Sequence, residues 1–361
     1  MIQFSLGLLL VAVNDFRGIA TQLLIVVAYG APAYAACLPT PTDTRLQTLC
    51  LTEQAEGKAV DLRTVQLIDF RIKQEGYARG LGLPGAVKQH QFAPYATPVL
   101  DYNTNINGGN PNKTLTLGNL DFEGDPNLVR TRGIVAGVGV GANGRSILGA
   151  GRYIDYTIGG SWTSSAQHDQ TITRTFASAC SKNHIENLWY LDGCVATNRT
   201  QREIQTDRNS SVSLAISKLI PNDGSYHQAS AGVRRTYDKD YEQNQLIVSV
   251  DTIRVGSVFT SFSLALGEGV ENTLATRQSV SATVGTVLNQ RALRATANYS
   301  YSDGGKLLGV DRADTAQSLS ITYAVHPRFS VSVGYRNTDS TIDYFDDYEP
   351  TFGIQFTPFA F

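Results

Sequence analysis

The chain has 361 residues and a formal net charge of −2, with a mean hydropathy of −0.15 and only 17 % charged residues. That balance leaves no basic footprint for nucleic acid, and the even spread of apolar residues excludes a polytopic helical membrane protein, which needs several apolar runs of about 20 residues. Low charge combined with 33 glycines, 17 tyrosines and 14 phenylalanines reads instead as a β-barrel of the bacterial outer membrane.

In chain order, residues 1–35 read as an export signal. Arg17 precedes a short apolar centre, Leu23–Ala28, and small residues follow at Ala33 and Ala35. Neither this stretch nor Phe4–Val13 reaches the roughly 18 residues of a membrane-spanning helix. Cleavage after Ala35 would expose Ala36-Cys37. A lipid-modified Cys37 is the competing reading, and Tyr34 counts against it because a lipobox carries Leu there. The four cysteines, Cys37, Cys50, Cys180 and Cys194, fit an oxidising compartment. They allow three pairings; the sequential one, Cys37 with Cys50 and Cys180 with Cys194, closes two short loops and is favoured. No CxxC or His/Cys cluster points to zinc.

Residues 36–93 differ in pattern from the rest of the chain. Val65, Ile68 and Ile72 recur at near-helical spacing, Asp61 is placed to cap a helix over Leu62–Glu75, and Gly76 is placed to end it. The segment reads as a short helical periplasmic piece or a plug, with a poorly ordered linker as the alternative.

From residue 94 the period becomes two. Ile134, Ala136, Val138 and Val140 alternate with Val135, Gly137, Gly139 and Gly141, and the pattern recurs as far as Phe329–Tyr335. A soluble sandwich would alternate too. The persistence of the repeat and the aromatic residues at strand ends favour a membrane barrel. Counting back from the C-terminus puts Asp339–Pro350, Asp303–Thr315, Gly267–Ala275 and Tyr237–Gln243 outside the cell. The turns at His326–Arg328, Asn289–Gln290, Arg254–Gly256 and Pro221–Ser225 are then periplasmic. The expected architecture is all-β, a transmembrane antiparallel β-barrel of about 14 strands spanning residues 94–361, with its first strand near Thr114. Adding Pro94–Tyr102 makes the count odd, so either that segment stays outside the barrel or one assignment is wrong.

Phe361 closes an aromatic strand with Phe352, Phe356 and Phe359, the pattern of an assembly signal for the barrel assembly machinery. Phe352, Ile354 and Phe356 share one face, whereas Phe359 and Phe361 share the other. Pro358 marks the switch, where a bulge fits.

Little in the chain points to catalysis. Gly139–Gly144 has the GxGxxG spacing, but Ser146–Ile158 after it alternates as a strand rather than opening a helix, so no cofactor is expected. The histidines, His90, His168, His184, His227 and His326, show no metal or hydrolase spacing, and neither a metal site nor enzymatic activity is expected. With Tyr, Val, Leu and Phe facing lipid, the lumen receives Ser213, Arg234, Asp251, Ser281, Arg294, Ser320, Ser332 and Arg336. The outermost loop gathers five carboxylates between Asp339 and Pro350. A solvated acidic loop is the plain reading; the sharper one is contact with a basic partner through Asp343, Tyr344, Phe345, Asp346 and Asp347.

Asp101-Tyr-Asn-Thr-Asn-Ile-Asn-Gly-Gly109 resembles the Asn-rich turn at the barrel entry of surface lipoprotein assembly modifiers. The resemblance covers residues 94–361 and rests on this motif, the barrel size and the aromatic end. It implies export or assembly of proteins or lipoproteins at the cell surface, with a secreted or lipoprotein client as partner. Residues 37–93 are too short for that family's stacked repeats of about 34 residues each. The alternatives are a passive diffusion porin for small polar solutes and a barrel enzyme.

Overall fold

The computed structural model describes residue 37 and residues 44–56, 62–83, 85–117, 119–255 and 258–360; the export signal 1–35, Asp61 and Phe361 lie outside them. Two helices come first, α1 (Thr44–Ala55) and α2 (Leu62–Gln74). α2 ends where the spacing predicts. Gly76 takes φ +82°, and the Tyr77 N–H reaches back to the Ile72 carbonyl at 3.1 Å, the closing bond of a Schellman turn. α1 has no sequence signal of its own, because six consecutive residues, Arg45 to Cys50, are all buried. A helix enclosed on every side shows no apolar stripe.

Fourteen strands close into one antiparallel barrel. They are β1 (Gln89–Asn103), β4 (Gly133–Gly149), β5 (Arg152–Ser165), β6 (Gln170–His184), β7 (Trp189–Gln201), β8 (Thr206–Asn222) and β9 (Ser225–Asp238). The wall continues with β10 (Glu242–Arg254), β11 (Val258–Gly267), β12 (Ala275–Leu288), β13 (Arg291–Leu307), β14 (Val310–His326), β15 (Phe329–Ser340) and β16 (Asp347–Phe356). Each pairs with its neighbour in sequence, and β16 returns to β1 with Val99 opposite Gln355 and Asp101 opposite Gly353. A small hairpin, β2 (Thr114–Leu117) with β3 (Leu120–Glu123), stands apart from this sheet. The expected strand number is therefore correct but one member is not. Pro94–Tyr102 lies inside the first barrel strand, and the segment beginning at Thr114 belongs to a loop.

Turn chemistry sets which end is which. Asn289 and Gln290 (φ +50° and +60°) make a two-residue turn, the mirror-image type that matches strand twist. Asn222 and Ser225 bracket a second two-residue turn, in which Gly224 alone takes a positive φ, +72°. These tight turns share one end of the barrel with the two helices. The opposite end carries the longer connections, residues 104–132, 268–274 and 341–346. Asp303–Thr315, expected as an outer loop, is mostly strand: β13 and β14 extend to a turn at Leu308–Gly309.

At the C-terminus, Gln355 faces Val99, yet Phe359 of β17 (Phe359–Ala360) faces Ala96. One extra residue sits on the terminal strand between them, which is the bulge expected beside Pro358. Both cysteine pairs are sequential disulfides, Cys37–Cys50 and Cys180–Cys194.

Candidate permeation pathway

The barrel wall has two chemically distinct faces. Outward rows carry exposed Val138, Val195, Leu214, Val233, Leu246, Ile321 and Val333. Near the long-loop ends the outward face bears Trp162, Tyr237, Tyr335 and Tyr348, the last two with ring centroids 6.3 Å apart. Near the tight turns it bears Trp189, Phe329 and Phe356, again with a 6.3 Å pair between the phenylalanines. An apolar band between two aromatic girdles on a closed barrel matches a bilayer and its two interfaces. The chain is an outer-membrane β-barrel.

The inward rows are polar. Asp192 points into the lumen, because it binds α1 there, and parity carries this face around the wall. Ser213 is opposite Cys194 and Arg234, and Asp251 is opposite Gln228 and Ser261. Ser281 is opposite Ser263 and Asn298, Arg294 is opposite Gly285 and Thr322, and Ser320 is opposite Thr296 and Gly334. Ser332 is opposite Thr322 and Gly353, and Arg336 is opposite Ser318 and Glu349. With the native cysteines removed, cysteine at Ser213, Ser281, Ser320 or Ser332 should react with a membrane-impermeant thiol reagent. Cysteine at Leu214, Ala282, Ile321 or Val333 should stay protected in lipid; equal labelling of the two sets would contradict this parity.

α1 sits in the periplasmic mouth, held by a charge network that local spacing did not reveal. The Arg45 guanidinium is fully buried. It donates to both Asp192 oxygens at 3.0 and 2.9 Å and to the Tyr153 hydroxyl at 3.2 Å. It also lies 4.1 Å from the Tyr190 ring centroid. Lys182 shares Asp192 at 3.1 Å. Arg145 grips Asp155 at 2.5 and 2.8 Å and lies 3.7 Å from Glu75, which in turn accepts from Thr44. Three cations thus meet three carboxylates, so the plug is locked without stranding a charge in a low-dielectric site. Beside this network, Leu46, Leu49 and the Cys37–Cys50 disulfide pack against Tyr190, Leu219, Tyr226 and Ile253. Burial pushes the Tyr77 phenol up to about 12, so it stays neutral under the plug. All these contacts lie on β4 to β10.

The outer mouth has its own constriction. The loop 104–132 folds inward, burying Ile106 against Val135 and Ile172. The Asn107 carbonyl receives the Ile204 N–H from the β7–β8 connection at 3.1 Å. On the other side Arg130 binds Asp347 and, at 2.6 Å, Glu349. The Asn112 amide donates to the carbonyls of Asp343 and Asp346, at 2.9 Å each. The acidic loop, whose plain reading is a solvated loop and whose sharper one is contact with a basic partner, has cationic and amide partners within the chain. Arg312 also stacks on Phe345, 3.3 Å from the ring centroid. The Asn-rich stretch 101–109 forms the end of β1 and the inturned start of this constriction.

Ser–His contacts occur at Ser225–His227 (3.1 Å) and Ser146–His90 (2.9 Å). The second nitrogen of each ring meets a hydroxyl, Thr252 or Tyr156, and not the carboxylate that steadies an imidazolium in a hydrolytic triad. Gly139–Gly144 lies mid-strand in β4.

No protein family and no curated protein matches the chain. Solved barrels do match in outline. OccK2 (OpdF) of Pseudomonas aeruginosa, determined with glucuronate, is 9 % identical with a TM-score of 0.40, covering 76 % of this chain and 98 % of that one. A BenF-like porin from Pseudomonas fluorescens Pf-5 is 10 % identical with a TM-score of 0.40, covering 77 % and 100 %. A loop-deleted OmpT of Vibrio cholerae gives 10 %, 0.40, 76 % and 99 %. Likeness at this level extends no further than barrel architecture. The resemblance to surface lipoprotein assembly modifiers finds no support in these matches, and the expectation of protein export that followed from it is not supported.

Proposed function

We propose that the protein is a passive diffusion channel for small polar solutes. The observation that carries this reading is the arc of wall from β11 to β15. Its inward rows are Ser261, Ser281, Thr296, Ser318, Ser320 and Ser332, with Arg294 and Arg336 among them. The plug is anchored on β4 to β10, and the inturned loop on β4, β6, β16 and the β7–β8 and β15–β16 connections. The plug is therefore anchored away from the hydroxyl-lined arc, and the inturned loop meets that arc at its β15 edge, where Glu349 stands opposite Arg336. Small hydroxyls exchange hydrogen bonds with a passing hydrated solute and offer no deep well to trap it.

Purified protein in a planar bilayer should give steady openings. Ser281→Trp with Ser320→Trp, two bulky groups on the arc, should reduce unit conductance while leaving heat-modifiable gel migration unchanged. Silent bilayers from correctly folded protein would count against the channel and return a gated or client-dependent barrel to consideration.

A further inference from the structure

Arg199 on β7 and Arg208 on β8 are directly opposite each other on the exposed outer wall. Like charges in that position repel and weaken the pair. Arg199 meets the Gln201 amide oxygen at 3.4 Å, and neither guanidinium has a carboxylate partner among the described residues. Their depth is fixed by the strand itself. Ten residues further along β8, Lys218 lies over Trp189, 4.9 Å from the ring centroid, at the periplasmic girdle. Ten residues rise about 33 Å along a strand, and a tilt near 40° reduces that to about 25 Å, the height of a barrel's apolar band. The two arginines therefore stand at the headgroup level of the outer leaflet.

Towards the membrane centre the same face changes character in tiers. Thr197 and Ser210 come next, joined by a 2.9 Å hydrogen bond. Below them opens an apolar groove of about 950 Å³. Its floor follows one row of paired residues across the strands, Ile154, Ser181, Gly193, Leu214, Val233 and Leu246, with Arg235, Tyr237 and Asn244 also lining it. Gly193 deepens it. A Cβ there would meet only Leu214 Cδ1, at 4.0 Å, so neither packing nor backbone angle calls for glycine. Its effect is the hollow.

We propose that this surface binds a phosphorylated acyl lipid of the outer leaflet, with phosphate on Arg199 and Arg208 and an acyl chain in the Gly193 groove. A guanidinium fork pairs phosphate oxygens two at a time, and one phosphate between the arginines turns their repulsion into attraction. The hydroxyl tier meets the polar ester or sugar region. The groove removes chain methylenes from a convex wall that would otherwise hold them loosely.

Native mass spectrometry of the full barrel in detergent, titrated with bis-phosphorylated lipid A, tests the assignment. Retention should fall about tenfold or more in the Arg199→Ala/Arg208→Ala variant, as expected for losing charge-assisted bonds. Gly193→Leu, which fills the groove and leaves both charges, should also lower retention, and dephosphorylated lipid should bind the native protein no better than the double variant does. Unchanged retention in either variant overturns the proposal. So does displacement of lipid A by millimolar inorganic phosphate, which would make the arginines a simple anion site. Heat-modifiable migration of each variant verifies that the barrel is intact.

Discussion

Replacing Arg45 by methionine will weaken the seating of α1 in the barrel by about 3–5 kcal/mol, the usual cost of removing one partner from a buried ion pair. The guanidinium is wholly enclosed and binds Asp192 through two parallel hydrogen bonds. Methionine keeps most of the stem volume but leaves Asp192 to Lys182 alone and removes the stacking on Tyr190. The fourteen strands make none of their pairings through α1, so the barrel itself should persist. Single-channel records should therefore show larger or more frequent openings, and protease should cut within residues 44–75 faster than in the native protein. Identical records and identical cleavage rates would mean that α1 is held by its apolar face and the Cys37–Cys50 disulfide rather than by charge.

Two neighbouring residues should respond in opposite ways to the same substitution. Val333→Arg places a charge on the outward face of β15, where Val333 is 48 % exposed between Phe329 and Tyr335. Near the bilayer midplane that costs about 2–4 kcal/mol. Ser332→Arg points the same group into the lumen, opposite Thr322 and Gly353, and should change unfolding free energy little while lowering conductance. Urea unfolding in lipid vesicles measures the first effect and bilayer recordings the second. Similar destabilisation by both would place the bilayer elsewhere on the wall.

Much of the barrel was legible because strand parity is a local signal. Ser211–Ser217 or Ile134–Gly141 declare two faces within eight residues, and tight turns such as Asn289–Gln290 mark where the chain reverses. β1 was harder to read because Pro94 and Pro98 argue against a strand. Both prolines have the same parity, so both missing N–H donors fall towards the same neighbour. The ladder to β4 runs on through both prolines, whereas the pairing to β16 covers only Val99–Asp101. The plug network was illegible for a different reason. Arg45 meets Tyr153 and Asp192 across 108 and 147 positions of sequence, and no spacing rule links residues so far apart. The acidic loop was conspicuous, but its neutralising Arg130 lies on a loop more than 200 positions away in the chain.

The sparse seam between β1 and β16 bears on how the molecule comes into being. Val99 cannot meet Gln355 until nearly the whole wall has been laid down, and every other strand pairs with a neighbour only a hairpin away, save for β1 with β4 across its long loop. Local hairpins form early and quickly, whereas this last contact has an extreme sequence separation and a correspondingly slow search. Until it closes, the growing sheet presents two unpaired edges, each a template for another chain. A nascent molecule is thus most prone to aggregate just before completion, and a chaperone that shields Gln89–Asn103 and the final strand would protect it at that stage.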